Sequence, residues 1–319
     1  MTLKWFYFNL QKTTNKIELF SNPILSFLLL TSIAFCLFQI SLGGFVRVSG
    51  SGLGCPDWPL CYGKIIPPMN YETLIEWGHR TSGVILGLLI LISTIFAWIK
   101  NKRNYFLLFT ITTTLFTVIV VGMIGGLVVL SELNPILRTI HLFFAQLVIL
   151  LLGISLVIVN SQSISYTVIK KSLTNKYSIF LIISSIGIII TLLSGSFAVW
   201  KGAGTICSSW PLCTSSSIFP NNQLELIHMI HRVLSLITTI FSFWTCIYIL
   251  QNLKNTLIKT LSSISIFVIL SQIFLGASNP WTNFEIWARV SHLGMASLLW
   301  TLFIIILSFT LISEIEKKN

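Results

Sequence analysis

Residues 84–99 read VILGLLILISTIFAWI, an unbroken apolar run without a charged side chain. A membrane-spanning helix needs about 20 mostly apolar residues, and this run supplies most of one. A transmembrane β-strand alternates apolar and polar positions, so a barrel would not produce such a run. The stretch therefore predicts an all-α membrane protein.

The composition of the whole chain agrees with this prediction. Of its 319 residues, 54% are hydrophobic and 9% are charged, and the mean hydropathy is +0.88. Soluble domains carry about 25% charged residues, so a soluble globular protein is excluded. The net charge is +11, but the 20 basic residues are scattered among apolar runs, and we expect no nucleic-acid partner.

Apolar runs of spanning length occur eight times along the chain. They lie at 24–46, 79–99, 105–130, 138–159, 178–199, 226–249, 257–277 and 289–312. Their lengths predict eight transmembrane helices embedded in a lipid bilayer. The first run is long enough to span, so we expect no cleavable signal peptide.

The basic residues between the runs predict the orientation of the helices. Thirteen of them lie in the N-terminal arm, the even-numbered connections and the tail: Lys4, Lys12, Lys16, Lys100, Lys102, Arg103, Lys170, Lys171, Lys176, Lys254, Lys259, Lys317 and Lys318. At most seven lie on the other side. Because Lys and Arg concentrate in cytoplasmic connections, we expect both termini in the cytoplasm.

The sequence repeats itself at a displacement of about 152 residues. Identical pairs at 152 are Gly43 and Gly195, Gly50 and Gly202, Gly52 and Gly204, Cys55 and Cys207, the Trp-Pro-Leu-Cys blocks 58–61 and 210–213, and the His-Arg blocks 79–80 and 231–232. At 151 the pairs are Gly125 and Gly276, Arg138 and Arg289, and the His-Leu blocks 141–142 and 292–293. The repeat predicts two four-helix bundles related by a pseudo-two-fold axis, because four spans return the chain to its starting side.

Four of the five histidines belong to this repeat. His79, His141, His231 and His292 each lie near the start of an even-numbered run, which puts them at similar depth near the extracytoplasmic face. Two imidazoles on facing helices can supply both axial ligands of a haem iron, so we expect the pairs His79 with His141 and His231 with His292. The alternative is that each histidine only forms hydrogen bonds within the bundle. Two imidazoles are too few for a closed zinc site.

An arginine follows the first histidine of each pair. Arg80 and Arg232 lie at the outer edge, where the propionates of a bound haem would be. A planar guanidinium suits a carboxylate, so we expect propionate contacts from both. An ordinary interfacial anchor is the alternative.

The segment 50–61, GSGLGCPDWPLC, the segment 76–80, EWGHR, the later His141 and the repeated Cys and His-Arg blocks together resemble the haem A synthase family. The resemblance covers almost the whole chain. It implies an oxidoreductase that converts the C8 methyl group of haem O to a formyl group, giving haem A for terminal oxidases. It also implies substrate haem O in the N-terminal half, a haem b cofactor in the C-terminal half, and haem O synthase as the supplier of substrate.

With this resemblance the chain divides into five parts. We expect a cytoplasmic arm at 1–23, the substrate half at 24–160, a cytoplasmic connection at 161–177, the haem b half at 178–312 and a cytoplasmic tail at 313–319. The expected location is the plasma membrane of a bacterium, with both haem sites near its extracytoplasmic face.

One position distinguishes the two halves. Glu76 lies three residues before His79 and therefore on the same helix face, whereas His228 occupies the equivalent position in the second half. An acid beside only one haem is expected if only one site performs chemistry, and in the family the matching Glu is linked to catalysis. The alternative for Glu76 is a helix-start acid favoured by the macrodipole, which is also the simplest role for Glu225. We expect His228 to contact a propionate instead of ligating iron.

The remaining motif is a duplicated pair of cysteines. Cys55 with Cys61 and Cys207 with Cys213 lie in outer connections, where oxidising conditions favour a disulfide within each loop. A metal site built from all four is the alternative, and the family leaves open whether the first pair is redox-active or a structural clamp. Cys36 and Cys246 lie inside spans and are expected to be core residues.

Two functions of another class stay open on the sequence alone. A non-catalytic dihaem electron-transfer protein would explain four histidines but not the difference between Glu76 and His228. A haem transporter would explain outer sites and loop cysteines but leaves the second histidine pair without a purpose.

Overall fold

The computed structural model describes residues 22–161, 172–214 and 217–312. Over these ranges the chain forms eight long helices, which we number α1 to α8. They are α1 Pro23–Val48, α2 Tyr71–Lys100, α3 Tyr105–Leu130, α4 Pro135–Val159, α5 Lys176–Trp200, α6 Gln223–Asn252, α7 Thr256–Trp281 and α8 Ile286–Ile312. Each is long and apolar enough to cross a membrane. The predicted all-α fold with eight membrane helices is confirmed, and the protein is an integral membrane protein.

An asparagine side chain begins seven of the eight helices. In each case its side-chain oxygen accepts a hydrogen bond from a backbone N–H of the first turn. The caps are Asn22, Asn70, Asn104, Asn134, Asn175, Asn222 and Asn255. These first amides have no partner inside the helix, so the caps satisfy them at the edge of the apolar segment.

The second helix begins earlier than its apolar run predicts. The run starts at residue 79, whereas α2 starts at Tyr71, behind the Asn70 cap. Hydropathy marks the part of a helix that lies in lipid, while the cap decides where the helix begins. His79 is therefore about two turns inside α2 instead of near its start, and Glu76 lies beyond the first turn.

Helix contacts follow the same order in both halves. Helices α1 to α4 contact each other in a closed ring, and α5 to α8 do the same. The halves meet where α8 contacts α1 and α4, and where α4 contacts α5. The pseudo-two-fold relation of the two halves and the five-part division of the chain stay predictions.

Equivalent positions of the repeat meet where α4 packs on α8. Gln146 Nε2 donates a hydrogen bond of 2.8 Å to the Oγ of Ser297, which lies 151 residues later. Gly153 faces Ile304, again 151 residues later. Contacts between equivalent residues are what a two-fold axis between two elements produces.

Small residues bring α1 and α8 close together. A methyl group added at Gly44 would lie 2.9 Å from Cδ2 of Leu293, and one added at Gly294 would lie 2.6 Å from the Oγ of Ser41. In membranes such close packing drives helix association, because lipid tails are as apolar as the helices.

The orientation in the membrane also stays a prediction. Among the basic residues used for it, Lys4, Lys12, Lys16, Lys170, Lys171, Lys317 and Lys318 lie outside the described residues. The arm at 1–21 and the tail at 313–319 lie outside them as well.

We expect Gly44→Leu to destabilise the junction between the halves. The larger side chain would collide with Leu293 and overpack the interface, at a cost of about 1–3 kcal/mol. Thermal unfolding in detergent measures the effect. Gly122→Leu is the matched control, because Gly122 is exposed and has open space around its Cα. Equal melting temperatures for the two variants would contradict the prediction.

Candidate functional site

Each of the four repeated histidines packs against a glycine of the preceding helix. A methyl group added at Gly195 would lie 2.8 Å from Cε1 of the His231 ring. The equivalent distances are 3.0 Å for Gly43 and His79, 3.2 Å for Gly125 and His141, and 3.2 Å for Gly276 and His292. A side chain at Gly195 would collide with the ring, and one at the other three positions would press against it, so the repeated glycines make space for the rings. Their repetition in the sequence does not by itself indicate this role.

Two of the rings are held through Nδ1. Gln39 Nε2 lies 3.1 Å from Nδ1 of His79, and the Gln39 side chain also donates to the His79 carbonyl at 2.8 Å. In the second half Ser194 Oγ lies 2.9 Å from Nδ1 of His231. A bond at one ring nitrogen fixes the ring orientation and leaves Nε2 for a ligand.

The other two rings have an unsatisfied nitrogen. Nδ1 of His141 and Nδ1 of His292 are buried without a hydrogen-bond partner in the described ranges. His141 lies within coulombic range of His79, and His292 within coulombic range of His231. His228 is within coulombic range of His292 as well, and the predicted ligand pairs stay a prediction.

These features fit a haem better than a metal ion held by side chains alone. Across the described part of the chain no three His, Cys, Asp or Glu residues come together as a metal-binding group. Each half offers two imidazoles, each packed on a glycine of the preceding helix. A haem needs only two axial ligands from the protein, because the porphyrin supplies the others.

Glu76 is fixed next to the first pair. Its carboxylate is buried, with 5% of the residue exposed, and Arg80 Nε donates to Oε1 at 2.8 Å. The other Arg80 nitrogens donate to backbone carbonyls of Cys55, Asp57 and Leu60. The charged pair is therefore locked between α2 and the loop before it, one turn from His79.

The second half repeats the arginine clamp but not the acid. Arg232 Nη1 donates to the carbonyls of Ser209, Pro211 and Leu212, of which the first and last are 152 residues after Asp57 and Leu60. His228 replaces Glu76, and its Nδ1 donates to the Ala203 carbonyl at 2.7 Å. The ring of His228 lies 6.5 Å from that of His231.

These contacts give Arg80 and Arg232 a role that the sequence analysis did not anticipate. Both hold their cysteine loop against the bundle through its carbonyl oxygens. The signal was present, because each arginine repeats together with its loop. The predicted propionate contacts of Arg80, Arg232 and His228 stay predictions. For the two arginines, such contacts would have to replace hydrogen bonds to the loop carbonyls.

Glu225 is a helix-start acid, which is the simplest role considered for it. It lies in the first turn of α6, where its backbone N–H donates to the Asn222 cap and its Oε2 accepts from the N–H of Asn221. This reciprocal arrangement resembles a capping box. Glu76 lies beyond the first turn of its helix, where the macrodipole no longer contributes much.

The cysteine loops contain the predicted disulfides. Cys55 is bonded to Cys61 and Cys207 to Cys213, so the four sulfurs do not form the alternative metal site. Cys36 and Cys246 are buried and free, as predicted.

A tryptophan of each loop packs on the bundle. Trp58 lies so close to Gly126 of α3 that an added methyl group would be 2.6 Å from its ring. Trp210 makes an edge-on contact with Trp281 of α7, with ring centroids 6.0 Å apart. The loops therefore cover the helix ends that precede the histidines.

The Asp57 side chain bridges the first loop by accepting hydrogen bonds from its later residues. Its two carboxylate oxygens accept hydrogen bonds from the backbone N–H groups of Gly63, at 2.7 Å, and Tyr62, at 2.6 Å. These bonds, that of Gly63 first, hold the pKa of Asp57 below its usual value. Ser209 occupies the equivalent position in the second loop.

We expect the first loop to loosen in acid. The lowered pKa of Asp57 means that its contribution is complete above about pH 4, the unfolded value, and is lost as pH falls through the folded value. Hydrogen-exchange protection at Tyr62 and Gly63, corrected for intrinsic rates, measures this. Asp57→Ala should lack the protection at every pH, and Glu132→Ala should keep the wild-type profile. Wild-type protection in Asp57→Ala would refute the prediction.

Comparisons with known proteins extend over most of the chain. A family model described as cytochrome oxidase assembly protein, COX15-CtaA, matches residues 26–74 and 69–304. The curated Heme A synthase of Shouchella clausii is 28% identical over 273 residues, which cover 82% of this chain and 88% of that protein. The Heme A synthase of Geobacillus kaustophilus is 23% identical over 89% of each chain, and that of Macrococcus caseolyticus is 28% identical over 88% of this chain and 95% of its own. This chain belongs to the COX15-CtaA family of cytochrome oxidase assembly proteins.

Proposed function

We propose that this protein is a haem A synthase, a membrane oxidoreductase that converts the C8 methyl group of haem O to a formyl group. The observation that carries the proposal is a duplicated histidine site in which a buried carboxylate, Glu76, lies one turn from the first histidine, whereas His228 occupies that position in the other copy. Family membership and the names of the relatives support the same activity.

In this proposal the first half binds the substrate. His79 and His141 bind haem O, and the glycines that face them make space for the two rings. Gln39 fixes the His79 ring through Nδ1, which leaves Nε2 for the iron.

The second half holds the cofactor. His231 and His292 are the residues that would hold haem b, which when bound would supply one-electron transfer. Ser194 orients the His231 ring through Nδ1. The Ala203 carbonyl holds the His228 ring through Nδ1, and the register of the repeat, in which His231 corresponds to His79, assigns the iron to His231.

Glu76 is the catalytic residue in this proposal. Conversion of a methyl group to a formyl group takes up one oxygen atom, passes electrons to an acceptor outside this chain and releases protons. A fixed carboxylate would stabilise positive charge at that carbon or accept a proton from it. Arg80 prevents Glu76 from turning away, because its Nε donates to Oε1 while its other nitrogens are bound to the loop. His228 carries no negative charge and cannot stabilise positive charge as a carboxylate does, so we assign the chemistry to the first half.

The loops and the membrane complete the site. Trp58, packed on Gly126, and the disulfide between Cys55 and Cys61 keep the first loop over the outer end of the bundle, where it limits access of water to Glu76. We place both termini in the cytoplasm of a bacterium and both haems near the outer face of its plasma membrane. Haem O synthase supplies the substrate, and terminal oxidase assembly consumes the product.

We expect membranes that contain this protein and a source of haem O to accumulate haem A. Glu76→Gln should bind haem O and keep haem b, but form haem A about 100- to 1,000-fold more slowly, because the charge is lost while the size is kept. Haem extraction followed by mass analysis gives both the product and any partly oxidised intermediate.

The matched control is Glu72→Gln, which removes an exposed carboxylate one turn earlier on the same helix. It should form haem A at the wild-type rate. If the wild type leaves haem O unchanged, the protein is a dihaem electron-transfer protein or a haem transporter. If Glu76→Gln forms haem A at the wild-type rate, Glu76 is not catalytic.

We further expect the two histidine pairs to be separable. His231→Ala or His292→Ala should lose haem b, whereas His79→Ala or His141→Ala should keep it and fail to convert haem O, because each pair lies in its own ring of four helices. The test is to measure the haem type and the number of haems per chain in each purified variant. Equal loss of haem b in all four variants would indicate ligands shared between the halves.

A further inference from the structure

Three arginines meet where the two halves join. Arg47 ends α1, while Arg138 and Arg289 begin α4 and α8, the three helices through which much of that contact is made. Arg47 is within coulombic range of both other arginines. The Cζ atoms of Arg138 and Arg47 lie 4.0 Å and 5.7 Å from the ring centre of Trp200.

None of the three has a carboxylate partner within the described ranges, where the one salt bridge joins Arg80 to Glu76. Nε of Arg47 and Nε of Arg138 are buried and make no hydrogen bond to any described residue. Like charges repel, and a buried donor without an acceptor destabilises the folded protein. Stacking on Trp200 offsets part of this cost. The two buried Nε donors therefore suit an anion as their partner.

The cluster lies next to the proposed haem ligands. Arg138 is three residues before His141 and Arg289 is three before His292, so each arginine shares a helix face with its histidine and lies about one turn closer to the helix start. Arg47, although it belongs to the first half, is within coulombic range of His292 in the second.

We propose that Arg47, Arg138 and Arg289 bind the propionate carboxylates of the haems, as one site shared by the two halves. The proposal rests on the haem ligation set out above. A porphyrin whose iron is bound to His141 or His292 carries its anionic groups only on the propionates. Guanidinium groups bind carboxylates through paired charge-assisted hydrogen bonds, and the unpartnered Nε atoms are available as donors.

This assignment differs from the one drawn from the sequence. Arg80 and Arg232 follow histidines directly, but their nitrogens already donate to loop carbonyls. Arg47 belongs to no repeated motif, and its repeat position is occupied by Val199. The shared site is therefore asymmetric, with a first-half arginine serving the second-half haem.

Iron protoporphyrin IX and its dimethyl ester distinguish propionate recognition from other causes of haem binding. Both present the same iron to histidine, but only the free acid carries carboxylates. The full-length protein, produced in a haem-deficient host and purified in detergent, is titrated with each and followed by its Soret absorbance. The wild type should prefer the free acid, and the combined variant R47Q/R138Q/R289Q should lose that preference and bind the free acid at least about 100-fold more weakly.

Two controls keep the result specific. Lys201→Gln removes an exposed positive charge that follows α5 directly, and it should keep the preference. If the combined variant does not fold, Arg47→Gln alone should bind the free acid about tenfold more weakly and leave ester binding unchanged. An unchanged preference in the variant that folds, or no preference in the wild type, overturns the proposal.

The outcome is independent of the test for haem A formation. If the wild type forms no haem A and the arginine variants lose the free-acid preference, the propionate site is supported and the synthase activity is refuted. A wild type that forms haem A while the arginine variants keep the preference refutes the site alone. Phospholipid that copurifies with the wild type and is absent from the combined variant would identify a lipid phosphate as the anion, and would also overturn the proposal.

Discussion

The contact between a glycine on one helix and a histidine ring on the next is the interaction on which the rest of this structure depends. It occurs four times, and at Gly195 and His231 the approach is so close that even a methyl group would collide with the ring. An imidazole is polar, so a position within an apolar bundle is tolerated only where its nitrogens bind a partner. The glycines set the distance between neighbouring helices at the depth of the rings, and the asparagine caps, the arginine clamps and the loops arrange the outer ends of the helices around them.

The two halves share most of their repeated contacts, and single residue differences at equivalent positions distinguish them. The clamp of Arg80 on its loop recurs at Arg232 with equivalent carbonyl oxygens. The carboxylate of Glu76 does not recur, because His228 stands in its place and bonds to a loop carbonyl. A buried ion pair is weak support for stability, since desolvation offsets most of the Coulombic gain. The presence of one in a single half is therefore better explained by the proposed chemistry than by folding.

Arginine has two distinct uses at the outer end of the molecule. Arg80 and Arg232 donate hydrogen bonds to carbonyl oxygens of the preceding loops and so hold these loops on the helices. Arg47 and Arg138 keep buried donors that no described residue satisfies, close to the helices that join the halves. The position of an arginine next to a histidine in the sequence does not predict which role it has. The hydrogen bonds that its side chain makes do distinguish the two roles.

The sequence by itself determined the number and type of the helices, the duplication and the disulfides, and it predicts the histidine pairs. These depend on local hydropathy, on spacing and on identities between the halves, all of which can be read along the chain. The tertiary structure decided the early start of α2, where a cap extends the helix beyond its apolar run. It also decided what each arginine binds and why the repeated glycines are needed. Such roles depend on which residues of distant segments come within bonding distance, and that is set by helix packing, which no local pattern of one sequence encodes.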